Sequence, residues 1–66
     1  MKDIAQLSYE QAREELGEVV AKLESGRAPL SDALALWERG EALAAHCQRI
    51  LDGARAQVDK VRSQEP

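Results

Sequence analysis

From Leu30 onward, apolar positions recur at alternating steps of three and four: Leu30, Ala33, Trp37, Gly40, Ala44, Cys47, Leu51, Ala54, Val58 and Val61. That spacing predicts a long amphipathic helix carrying a sustained heptad seam. A second row, Leu36, Leu43 and Ile50, runs beside the seam at seven-residue intervals, and Leu34 flanks its other side. An apolar face this wide needs at least two helices packed on it. Earlier in the chain, Tyr9, Ala12, Leu16, Val19, Val20 and Leu23 trace one face of a shorter helix. The predicted helices run from about Ser8 to Ser25 and from about Leu30 to Arg62, roughly 27 Å against roughly 50 Å at 1.5 Å per residue. The long helix therefore overhangs the short one.

Local signals set the boundaries. Ser8 and Gln11 form a Ser-x-x-Gln capping box, and Glu10 complements the positive end of the helix dipole. Gly26 sits where a left-handed residue ends a helix, and Pro29 blocks continuation, so Ser25 to Pro29 reads as a tight turn between antiparallel neighbours. Pro29 is either the cap or the first residue of the second helix, and Ser31 is a rival cap. Gly40 and Gly53 lack a new cap and proline behind them, which favours one long helix over two. The expected fold is all-α, an antiparallel helical hairpin with a short first and a long second helix, completed by oligomerisation or by a partner helix. It forms one domain over residues 1–66, with flexible ends at 1–7 and 63–66.

Length explains why a partner is needed. A chain of 66 residues buries only ~60% of the surface its unfolded form exposes, so its own core is marginal. Cys47 is the single cysteine, so no intrachain disulfide can help. That usage suits a reducing cytoplasm. No apolar leader or run of ~18 uncharged apolar residues is present, so no membrane role is expected.

The net charge of −3 sits in the first half, where Asp3, Glu10, Glu14, Glu15, Glu18, Glu24 and Asp32 outnumber Lys2, Arg13, Lys22 and Arg27. Nucleic-acid binders need a basic patch that neutralises phosphates, and the first helix presents the opposite field. With one Trp, one Tyr and no Phe there is no platform for stacking bases. Contact with DNA is expected to be indirect.

Candidate chemistry is sparse. Glu14 and Glu18, with Glu15 beside them, share a helix face but lack converging ligands for a hard cation and read as a solvated acidic face. His46 and Cys47 point about 100° apart around a helix, a poor metal pair; Cys47 reads as a small buried hydrophobe and His46 as a surface residue. No Ser/His/Asp set, phosphate loop or paired CxxC occurs, so neither catalytic, cofactor nor metal residues are assigned. Trp37 is either the centre of the hairpin core or an anchor in an intermolecular contact. The expected partner-binding residues are Leu36, Trp37, Gly40, Leu43, Cys47, Ile50, Leu51, Ala54 and Val58, with the Leu36, Leu43, Ile50 row the one the first helix is least able to reach.

The run Ser8-Tyr9-Glu10, then Leu16, Val19, Leu23-Glu24-Ser25-Gly26, Pro29-Leu30, Ala33-Leu34, Leu36-Trp37-Glu38-Arg39-Gly40, Leu43-Ala44 and Cys47 to Leu51 resembles the small subunit of exodeoxyribonuclease VII. The resemblance spans about Leu7 to Val61, and its most specific pieces are Leu-Glu-Ser-Gly and aromatic-Glu-Arg-Gly. It implies a bacterial, cytoplasmic, non-catalytic subunit of an enzyme that degrades single-stranded DNA to oligonucleotides. In that family the active site lies in the large subunit, whose long helical region carries several copies of the small one. Gly17 and Gly53 depart from the family's helix-forming residues. Two other readings stand beside it: a self-associating helical module forming a four-helix bundle, and a direct single-strand binder using Arg49, Arg55, Lys60 and Arg62.

Overall fold

The computed structural model describes residues 3–63 and contains a short 3-10 turn, Ile4–Gln6, followed by two α-helices, α1 (Tyr9–Glu24) and α2 (Leu30–Ser63). The helices pack side by side as the expected antiparallel hairpin. Its long dimension of 57 Å is set by α2, whose 34 residues span about 51 Å at the α-helical rise.

The capping box forms as the sequence requires. Ser8 Oγ accepts the Gln11 N–H at 3.1 Å, and Gln11 Oε1 accepts the Ser8 N–H at 2.9 Å. Two of the donors that every helix start leaves unpaired are thereby satisfied. At the other end the Gly26 N–H donates to the Leu23 carbonyl at 3.3 Å, with Gly26 at φ 69°. A side chain there would be strained, and that left-handed residue turns the chain sharply. The Pro29 carbonyl then accepts the first helical N–H, from Ala33 at 2.8 Å, which puts Pro29 at the cap position and Leu30 at the first turn of α2.

The core is small: Leu7, Ala12, Val19, Leu43 and Cys47 are buried, with Ile4, Tyr9, Leu16, Leu23 and Leu36 packed against them. On α2, beside the covered Arg39 and His46, the covered apolar and small positions are Ala33, Leu36, Gly40, Leu43, Cys47 and Ile50, themselves alternating by three and four. This is the row α1 was expected not to reach. Leu43 is completely buried and Leu36 joins the core, so that expectation is overturned: α1 lies over the Leu36, Leu43, Ile50 row and its neighbour through Gly40 and Cys47.

Two further expectations change. The start of the chain, expected as a loose end, is a packed lead-in over residues 3–7: Asp3 caps the 3-10 turn and Leu7 is buried. His46, expected on the surface, is only 8% exposed, and its Nε2 lies 2.8 Å from the Leu7 carbonyl. Since a carbonyl can only accept, Nε2 carries the proton. That bond fastens the lead-in to α2 one turn before intrachain cover ends at Ile50. Residues 1, 2 and 64–66 of the expected flexible ends lie outside the described residues; Ser63 is the last residue of α2.

Gly40 lies where α1 crosses. A β-carbon there would meet Val19 Cγ1 at 3.4 Å and Leu16 Cδ1 at 3.8 Å, which is ordinary contact for one methyl group and no room for more. Gly40→Ala is expected to be neutral or stabilising by up to ~1 kcal/mol through helix propensity. Gly40→Leu should cost ~1–3 kcal/mol by overfilling the crossing. In thermal melts the Ala variant should hold or raise the midpoint and the Leu variant should lower it, and a stable Leu variant would mean that the crossing has room for a large side chain.

A candidate partner-docking surface

One edge of the hairpin is closed by charge. Arg39 Nε donates to Glu15 Oε2, and Arg39 Nη2 donates to Glu15 Oε1 at 2.9 Å. This two-pronged geometry fixes the helices in register as well as attracting them. Glu15 had read as part of a solvated acidic face; half-buried beside Arg39, it is an interhelical strut. The hydrogen bond from the guanidinium is the main cause that holds the Glu15 carboxyl below its ordinary value of 4.5; burial opposes it, and the charge of Arg39 adds a smaller downward pull.

The consequence for pH has a definite sign. A carboxyl with a lowered folded pKa contributes stability that is complete above its unfolded value and disappears as pH falls through the folded one. The hairpin should therefore lose stability on acidification below about 4.5. Glu15→Gln should flatten that part of the pH profile in a series of thermal melts. An unchanged slope would assign the acid sensitivity to other carboxylates.

Along this edge runs a groove of about 850 Å³. Glu18, Lys22, Arg27 and Asp32 line it with both signs of charge, over a floor that includes Val19 and Leu36. Among the described residues no group of three or more His, Cys, Asp or Glu is placed to hold a metal ion. No helix of the described residues is long and apolar enough to cross a membrane.

The opposite edge is apolar and open. At ~100° per residue, Trp37 lies about 160° around α2 from Arg39, and Val20 about 140° around α1 from Glu15. Both therefore face away from the charged strut. Trp37 is 60% exposed, so it is not the centre of the hairpin core. With it stand Leu30, Leu34, Leu51, Val58 and Val61, all substantially exposed on α2, and Val20 on α1. Leu30, Trp37, Ala44, Leu51 and Val58 follow one another at seven-residue steps, which makes a single stripe along the helix. Every described residue after Ile50 is exposed, so the stripe continues for some 20 Å beyond the cover of α1. Contiguous apolar surface of this kind marks an interaction site, whereas single exposed apolar residues do not.

The expected partner-binding set therefore divides. Leu36, Gly40, Leu43 and Cys47 face α1, and Ile50 is half-buried at the end of the hairpin. Trp37, Leu51, Ala54 and Val58 remain available. Leu30, Leu34, Val20 and Val61 join them. Leu30 and Val61 stood in the heptad seam, Leu34 beside it and Val20 on the face of the first helix, but the pattern alone does not say which of the rows the first helix covers.

The family model described as exonuclease VII small subunit matches residues 9–60, from the first turn of α1 to near the end of α2. Among curated proteins the chain is similar to the exodeoxyribonuclease 7 small subunit of Beutenbergia cavernae, 66% identical over 59 residues, covering 89% of this chain and 69% of the relative. The protein of that name from Arthrobacter sp. (strain FB24) is 60% identical over 62 residues, covering 94% and 82%. That from Phenylobacterium zucineum is 52% identical over 59 residues, covering 89% and 74%. No solved structure matches the chain.

Proposed function

This chain belongs to the exonuclease VII small subunit family, and from that membership we propose that it acts as the non-catalytic partner of a large subunit that degrades single-stranded DNA to oligonucleotides. The observation that carries the docking part is the open stripe of Leu30, Leu34, Trp37, Leu51, Val58 and Val61. A hairpin that leaves its largest aromatic and five aliphatic side chains in water has a surface made to be covered. A helix from the large subunit fits it, because heptad stripes pack best against other helices. Trp37 is the natural anchor, a large side chain whose indole N–H can find a partner as its ring is buried.

In this reading the chain meets DNA only through its partner and works in the cytoplasm. Support comes from charge: α1 carries five carboxylates against two cations, a field that repels phosphates. The basic residues late in α2 sit where the helix dipole favours them and alternate with Asp52 and Asp59. The chain's contribution is to cover and stiffen the large subunit's helix, since a bound hairpin stabilises whatever conformation it grips.

Co-expression with the large subunit of the same genome, followed by mass measurement of the purified complex, tests the proposal. A stoichiometric complex with nuclease activity on single strands is expected. Failure to co-purify, or tight salt-dependent binding of single-stranded DNA by the chain alone, would count against it.

A further inference from the structure

We propose that, before it meets the large subunit, the chain is a two-fold antiparallel dimer whose α2 helices pair across Ala44, each overhang covering the apolar edge of the other hairpin. Three observations converge on a second copy as occupant. The first is shape. Pairing Ala44 with its own counterpart brings Leu30 opposite Val58 and Trp37 opposite Leu51, so the large residues of the seven-residue row meet in pairs, while Leu34 faces the small Ala54. Ala44 is the small residue of the row, and it stands where two axes must approach most closely.

Charge gives the direction. Before Ala44, α2 carries Asp32, Glu38 and Glu41 against Arg39, which is committed to Glu15. After it, Arg49, Arg55, Lys60 and Arg62 outnumber Asp52 and Asp59. Antiparallel pairing sets each basic half beside an acidic one and opposes the helix dipoles favourably, whereas parallel pairing stacks like on like.

Area sets the strength. From Leu30 to Val61 the stripe is about 46 Å long, and at a helix width of ~10 Å it offers roughly 900 Å² over the two copies. Stable specific interfaces begin near ~1,000 Å². The dimer is therefore reversible, and it covers the same stripe that the large subunit uses, a point that rests on the docking reading above. Dimerisation keeps the stripe out of water until the partner displaces it.

The test uses the full chain carrying Cys47→Ala, with single new cysteines added. Disulfides form only when Cα atoms come within ~7 Å. Ala44→Cys alone should cross-link under mild oxidation. Val58→Cys alone should not, yet it should cross-link when mixed with Leu30→Cys. Sedimentation of the unmodified chain should show a concentration-dependent rise from the 7.3 kDa protomer to twice that mass. A protomer at all concentrations, or a Val58→Cys homodimer, overturns the proposal. Adding the large subunit should suppress the Ala44→Cys cross-link. A monomer that still binds the large subunit would sink the dimer and leave docking intact. Undiminished cross-linking within a complex would sink the shared surface.

Discussion

Leu43→Ala is expected to leave most of the free chain unfolded at room temperature. Among the described residues Leu43 is the one large side chain with no exposure at all, held between the helices with Ala12, Val19 and Cys47 in the same cluster. Truncating a buried leucine removes its transfer free energy and leaves a cavity, together ~2–5 kcal/mol. A core of this size supplies no more than ~3–5 kcal/mol of net stability. The loss therefore matches the whole, where in a larger domain it would be a fraction. Circular dichroism at 25 °C should show most of the helical signal gone, with partial recovery when a partner or high concentration covers the stripe. A melt shifted by only a few degrees would mean that the stability lies elsewhere, and the overhang's association would be the place to look.

That Leu43 is the keystone was not evident from the sequence, and the reason is geometric. The two helices, their caps, the Gly26 turn and the overhang follow from short-range rules, and the structure reproduces them to within a residue or two. Which row of α2 faces inward is a different kind of question. On a coiled helix each such row lies about 50° from the next, so the row through Gly40 and Cys47 is flanked equally by Leu36, Leu43 and Ile50 on one side and by Leu30, Trp37 and Leu51 on the other, and either flank fits the pattern. The choice is made by what α1 brings. Glu15 claims Arg39, Val19 and Leu16 close on Gly40, and these rotate α2 until Trp37 points away. Bulk suggested Trp37 as core, but bulk is also what an open docking face uses.

His46 failed to show itself for a related reason. Its partner is the Leu7 backbone carbonyl, which carries no side-chain signature, and the segment before Ser8 has no periodicity to announce that it packs. A lone histidine on a helix gives no clue that a distant main-chain oxygen is waiting for it. The hydrogen bond explains both corrections at once, since it buries the imidazole and holds residues 3–7 down.

The open stretch allows docking to be separated from folding. In Leu51→Glu with Val58→Glu, both replaced side chains are about half exposed in the free hairpin, at 45% and 56%, and neither belongs to its core. The new carboxylates would stand four residues ahead of Arg55 and Arg62, the arrangement that adds ~0.2–0.5 kcal/mol per pair to an isolated helix. Helicity and core packing of the free chain should therefore survive, with the Glu15 and Arg39 strut still setting the acid limb of its stability. Docking is another matter. Covering two carboxylates with an apolar helix leaves them without water or a partner, at a cost of several kcal/mol, which at 1.4 kcal/mol per decade weakens binding by ~100-fold or more. Co-purification with the large subunit and the activity that depends on it should fall together. An intact complex from a helical double variant would show that the overhang stays in solvent, and the docking surface would then have to be sought on the grooved edge beside Glu15 and Arg39.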